Sequence, residues 1–195
     1  MQIDVIETTS LGDRSYLVSA GGVAAVIDPQ RDIDRVQDLA ADRDVRIALV
    51  LETHVHNDYV TGGLELARTA GTDYVVPAGD TVAYDRVPAA DGDVLEAGPM
   101  RFRVMHTPGH THHHVSYVLT DTDGTVQAVF TGGSMLYGST GRTDLLGAEH
   151  TDQLTHAQYH SVRRQLVGRH RGLPHARLRQ LLLGDPDERR RLHRR

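Results

Sequence analysis

The apolar run Ile47-Ala48-Leu49-Val50-Leu51 passes without a break into Glu52-Thr53-His54-Val55-His56-Asn57-Asp58. A continuous apolar run of this kind suits a strand buried inside a layered fold. The chain therefore places imidazole and carboxylate groups directly at the end of a buried strand. In an extended segment, residues two apart face the same way, so His54, His56 and Asp58 can converge on one point.

The surrounding pattern supports a layered α/β fold. Ile3-Asp4-Val5-Ile6, Ser15-Tyr16-Leu17-Val18 and Val23-Ala24-Ala25-Val26-Ile27-Asp28 are short β-rich runs separated by Gly-containing turns. Ile33, Val36, Leu39 and Ala40 recur at helical spacing, and a second helix is predicted over 63–69. Further strand-like runs lie at Tyr74-Val75-Val76, Val94-Leu95, Phe102-Arg103-Val104, Val115-Ser116-Tyr117-Val118-Leu119 and Val126-Gln127-Ala128-Val129-Phe130. Residues 131–147 hold five Gly and read as a long loop, and 150–166 as a helix. Strands followed by helices, then repeated, imply sheets packed between helices. The length of 195 residues suits one globular domain, and a 39% hydrophobic content argues against wholesale disorder.

Composition narrows the chemistry. The chain has no Cys, which excludes a disulfide framework, a Cys-based zinc finger and a thiol nucleophile. A net charge of −5 argues against general nucleic-acid binding. No apolar run approaches the roughly 20 residues of a membrane span. The start, Met1-Gln2-Ile3-Asp4, lacks a signal-peptide pattern, so a cytoplasmic location is expected.

Thirteen His are present. Besides the cluster after Leu51, a second reads His106-Thr107-Pro108-Gly109-His110-Thr111, in which the Pro-Gly turn can aim His110 into a site. His112, His113 and His114 follow, and most of that run is expected to be solvated. Taken singly, either cluster could be a polar loop with surface histidines. Imidazole and carboxylate together are ligands that Zn(II) and Fe(II) accept.

The succession T-H-x-H-x-D, H-T-P-G-H-T, F-T-G-x-S and G-R-x-D-L over residues 1–167 resembles the metallo-β-lactamase superfamily. Within it, residues 128–145 resemble the persulfide dioxygenase and glyoxalase II branch, nearest to the domain that bacterial proteins fuse to a rhodanese module. The resemblance implies an αββα four-layer sandwich with a metal at the strand ends. His54, His56 and His110 match the three-histidine metal site. Asp58 matches the aspartate of the second metal site in the binuclear hydrolases; its simpler role is to orient a ligand histidine. His114 matches a histidine near the substrate, or is merely a polar residue at a strand start. Arg142 and Asp144 lie in a loop that could shape the substrate entrance, or form a pair that fixes that loop.

Two departures from the pattern matter. Tyr59 stands where the motif usually continues with His, and Gly133 stands where T-G-D is usual. The family's aspartate at that second place bridges two metals in the hydrolases and binds iron in the dioxygenases. Gly133 has no side chain, so one divalent metal, Fe(II) or Zn(II), is expected on three histidines with an open position.

Charge divides the chain near residue 168. Residues 1–167 hold 12 Arg against 23 Asp and Glu, whereas 168–195 hold 9 Arg against 3. All basic residues are Arg, as a GC-rich gene would give. Codons can be chosen for 174–195 that, read one nucleotide later, yield P-T-H-G-F-G-S, the closing segment of the rhodanese-fused group. The expectation is a domain over 1–167 and a frame-shifted tail over 168–195. Such a chain would lack its C-terminal closing elements and the last histidine ligand, and would expose apolar surface that favours homo-oligomers.

The resemblance implies a sulfur-metabolism enzyme that oxidises a small-molecule persulfide such as glutathione persulfide with O₂ to sulfite and the thiol, working beside a rhodanese-type sulfurtransferase. The alternative is hydrolysis of thioesters or lactones, with Asp58 orienting or deprotonating a metal-activated water. A third expectation is an inactive, truncated metal-binding domain.

Overall fold

The structure, a computed structural model, describes residues 1–8, 13–56, 59–136 and 138–167. Asp58 and the Arg-rich segment 168–195 lie outside the described residues.

Six strands form the first sheet in chain order: β1 (Gln2–Thr8), β2 (Asp13–Ala20), β3 (Val23–Ile27), β4 (Arg46–Leu51), β5 (Asp73–Pro77) and β6 (Val87–Ala89). The pairs β1/β2 and β2/β3 are antiparallel, and β3 through β6 run parallel. The parallel half needs crossovers. Two of these carry helices, α1 (Asp34–Asp42) and α2 (Gly63–Ala70). A second sheet has the order β10-β9-β8-β7, from β7 (Val94–Ala97), β8 (Met100–His106), β9 (Val115–Thr120) and β10 (Val126–Phe130), all antiparallel. The long helix α3 (Ala148–Val167) closes the described chain.

The burial of β4 explains its unbroken apolar sequence. Leu49 and Leu51 point into the layer between the sheets, against Phe102, Tyr117, Leu119 and Phe130. Ile47 and Val50 point the other way, into the layer beneath α1 and α2, with Val36, Ala40, Leu66 and Ala67. Val36 and Ala40 are four apart on α1, which aligns them on one face of the helix. On the outside of the second sheet, Gln165 of α3 reaches Ser116 of β9. The layers are thus α, β, β, α, as the resemblance implied.

Three short strands escaped the sequence reading. β6 is a three-residue edge strand containing Pro88, which weakens its strand signal. The expected loop over 131–147 contains a small hairpin, β11 (Met135–Leu136) with β12 (Ser139–Thr140), too short to leave a periodic pattern. Among the described residues, no helix is long and apolar enough to cross a membrane.

Candidate metal centre

Because β3 and β4 are parallel neighbours, their ends coincide. The Asp28 N–H donates to the Leu51 carbonyl at 2.9 Å, and Asp28 takes φ 48°, uncommon for a residue other than Gly. This bend turns its carboxylate onto the segment after β4. Asp28 Oδ1 accepts the Thr53 N–H at 2.7 Å and Oδ2 accepts the Thr53 hydroxyl at 2.8 Å. With its proton directed to Asp28, the hydroxyl of Thr53 can only accept at its 2.9 Å contact with His54 Nδ1. His54 therefore carries its proton on Nδ1 and turns an Nε2 lone pair to the centre. Burial, then the neighbouring His56, His114 and His110, pushes its pKa well below the ordinary value. A neutral ring is the form a metal binds.

His56 is held from the opposite side. Its Nε2 lies 3.4 Å from Asp28 Oδ1, 3.3 Å from Glu52 Oε2 and 2.9 Å from the Tyr59 hydroxyl. Burial alone would lower the His56 pKa, but the hydrogen bonds and charges of Asp28 and Glu52 outweigh it and raise the value to about 10. Burial in turn pushes the Glu52 carboxyl up, against the opposing pull of His56. Glu52 is 2% exposed, and its Oε1 accepts from Thr61 and from the Tyr74 hydroxyl. The ligand atoms of Asp28, Glu52 and His56 lie within 4.8 Å of one another, so this group could itself hold an ion.

The third histidine comes from the turn after β8. Gly109 has φ 144°, and a Cβ there would stand 2.5 Å from the Gln158 Cα, so this turn packs directly on the α3 backbone. His110 Nδ1 donates to the Arg142 carbonyl at 3.0 Å, which directs Nε2 inward. Ring centroids place His54 4.0 Å from His56 and 4.9 Å from His110. A side chain at Gly133 would collide with this arrangement: its Cβ would stand 2.3 Å from His110 Cδ2 and 2.7 Å from Nε2. The three rings are thus brought together, each held through one nitrogen by a neighbour. Their donor set fits a divalent metal of the zinc or iron kind, provided that binding displaces the second proton of the His56 ring.

His114 joins them, at the buried end of a histidine run of which most was expected to be solvated. It is 0% exposed, stacks on His54 at 5.0 Å and meets His110 at 6.3 Å. His113, by contrast, is exposed. Arg142 and Asp144 form a two-pronged exposed pair, at 2.9 and 2.8 Å. Such a pair is worth little to stability, and it is the Arg142 backbone carbonyl that reaches the histidines.

Sequence reasoning missed Asp28, Glu52 and a polar stripe on α3. Gln158, Ser161 and Gln165 are buried at spacings of three and four, alongside Leu154. Gln158 donates to the Ser134 carbonyl and Ser161 to the Pro108 carbonyl, at 2.6 and 2.7 Å. The helix thereby grips both site loops. A polar stripe at helical spacing was the available signal, but it reads as a solvated face unless the polar loops it covers are known.

Comparison with known proteins agrees with this architecture. A hydroxyacylglutathione hydrolase of Acidiphilium cryptum is 33% identical over 109 residues, covering 55% of this chain and 44% of that protein. The chain spans less than half the length of that hydrolase and of several other curated relatives it matches. The crystal structure of a metallo-beta-lactamase from Staphylococcus aureus superposes with a TM-score of 0.78 at 25% identity, covering 89% of this chain and 53% of that one. ETHE1 from Myxococcus xanthus superposes with a TM-score of 0.73 at 28% identity, covering 86% and 71%. The profile of the metallo-beta-lactamase superfamily matches residues 12–173. A histidine centre at the strand ends of an αββα sandwich, with this match over most of its length, makes the chain a member of the metallo-beta-lactamase superfamily.

Proposed function

We propose that this chain is a mononuclear metal enzyme acting on a low-molecular-weight thiol derivative, and that its reaction is oxidation of a persulfide with O₂ to sulfite and free thiol. The observation that carries the reading is the His110 ring lying where a side chain at Gly133 would project. The resemblance implies that a carboxylate at that position bridges two metals in the hydrolases and is an iron ligand in the dioxygenases. Here no such carboxylate exists, which supports one metal, held by His54, His56 and His110. A bound iron would supply redox chemistry with O₂; a bound zinc would supply Lewis acidity.

The chain's own residues would do the rest. Thr53 with Asp28, and the Arg142 carbonyl, hold His54 and His110 with Nε2 inward. His114 faces the substrate, and the Arg142–Asp144 pair frames its entrance. By its match to the family motif, Asp58 would offer a further carboxylate to the metal or its water. A rhodanese-type sulfurtransferase would exchange sulfur with this enzyme in the cytoplasm, and chains would associate into homo-oligomers.

A second reading, hydrolysis of a thioester or lactone, is favoured by the identity shared with the hydroxyacylglutathione hydrolase. The two reactions separate in one experiment. The purified chain, loaded with iron or with zinc, is given glutathione persulfide in an oxygen electrode and, separately, a glutathione thioester. O₂ uptake by the iron form, with sulfite appearing, is expected. Thioester cleavage without O₂ uptake would overturn the oxidation reading in favour of hydrolysis. Turnover of neither would mark a metal-binding domain without this activity.

A further inference from the structure

His114 sits in the histidine cluster yet is wired differently from the rings beside it. Its Nδ1 lies 2.9 Å from Thr107 Oγ1, Thr107 Oγ1 lies 2.9 Å from Ser116 Oγ, and Gln165 Nε2 donates to Ser116 Oγ at 2.8 Å. All four side chains are buried. What stands at the far end of such a chain decides which way its protons point. At His54 the chain runs through Thr53 to the Asp28 carboxylate, which only accepts. At His110 the partner is a carbonyl, which also only accepts. Both rings therefore carry their proton on Nδ1 and present an Nε2 lone pair.

At His114 the far end is an amide N–H, which only donates. Ser116 accepts from Gln165, and among the described residues the acceptor for its own proton is Thr107 Oγ1; Ser116 then donates to Thr107 and Thr107 to Nδ1, so the ring proton resides on Nε2. Turning the amide over would leave both of its N–H groups buried without acceptors, whereas in the observed orientation a single carbonyl oxygen, Gln165 Oε1, lacks a partner. Interiors tolerate the second arrangement more readily than the first. His114 Nε2 is itself buried with no hydrogen-bond partner among the described residues, beside the Gly132 α-carbon, where a Cβ would stand 2.8 Å away. Buried donors are nearly always satisfied, so this one awaits an acceptor.

We propose that His114 is a fixed hydrogen-bond donor and not a fourth metal ligand, offering Nε2–H to an electron-rich oxygen or sulfur atom of the molecule that binds among His54, His56 and His110. The identity of that molecule rests on the metal-centre reading above; the proton's position does not. Gln165, Ser116 and Thr107 are positioning residues, acting through the tautomer they impose.

The test is a long-range ¹H–¹⁵N correlation spectrum of the full chain labelled at histidine, first without metal. The expected pattern is a single Nε2–H tautomer at His114 and Nδ1–H at His54 and His110. Thr107→Val should turn the His114 signal into a tautomer mixture, and Thr107→Ser should restore the single form. A wild-type His114 in the Nδ1–H form overturns the proposal, and so does a tautomer indifferent to Thr107→Val. On addition of zinc, His54 and His110 should shift while His114 keeps its Nε2–H; loss of that proton would make it a ligand. Failure of zinc to bind would instead count against the metal centre, since the tautomer is already read on the zinc-free chain.

Discussion

Gly132 and Gly133 fill adjacent places for different reasons. Gly132 takes φ 46°, and a Cβ there would stand 2.2 Å from Thr53 Oγ1, the hydroxyl that fixes His54. Gly132→Ala should therefore combine left-handed strain with overpacking, at a cost of about 2–4 kcal/mol. Thermal unfolding of the variant checks this, and an unchanged Tm would show that Thr53 yields freely. His56 makes a second prediction. Its pKa rises from an ordinary 6.5 to about 10 in the folded chain, so the stabilisation it brings is complete below about pH 6.5 and fades as pH climbs toward 10. The chain has no Lys, which removes one class of group that would titrate toward pH 10. In metal-free protein, the urea midpoint should fall between pH 7 and pH 10, and by less in Glu52→Gln, which has lost one carboxylate beside the ring. Equal falls in both proteins would contradict the assignment. At this scale the histidines were legible because their spacing is local. Asp28 and Glu52 were not, since their importance comes from the parallel pairing of β3 with β4, which residue spacing does not reveal.

The helix α3 acts as a clamp. Its Gln158 and Ser161 bond carbonyls in two loops distant in sequence, after β10 and after β8. Gln158→Leu keeps most of the volume but leaves the Ser134 carbonyl and hydroxyl without their donor. The expected cost is about 1–3 kcal/mol, read as a lower urea midpoint, together with weaker metal binding, because the His110 turn rests on the same residue. A variant that loses stability yet binds metal as before would show that α3 supports the fold but not the site. Strands were legible where apolar runs were long, as at β4 and β9. The β11/β12 hairpin and β6 were not, being short pieces defined by partners and turns.

Over the whole molecule, the covering of β4 on both faces was legible in its unbroken apolar run, whereas the order of all four layers came from the family resemblance. The centre's composition was legible only in part. Three histidines could be named, but His56 turned out to lie between two possible ion sites: the ring cluster with His54 and His110, and the acidic group with Asp28 and Glu52. The most direct test is the metal content of the chain after loading with Fe(II) or Zn(II) and removal of excess, compared with His110→Ala and Glu52→Gln. The three-histidine account expects one ion per wild-type chain, at least a tenfold loss of affinity in His110→Ala, and a smaller loss in Glu52→Gln, where only the support of His56 is weakened. Two ions per chain, or binding abolished by Glu52→Gln and spared by His110→Ala, would contradict it.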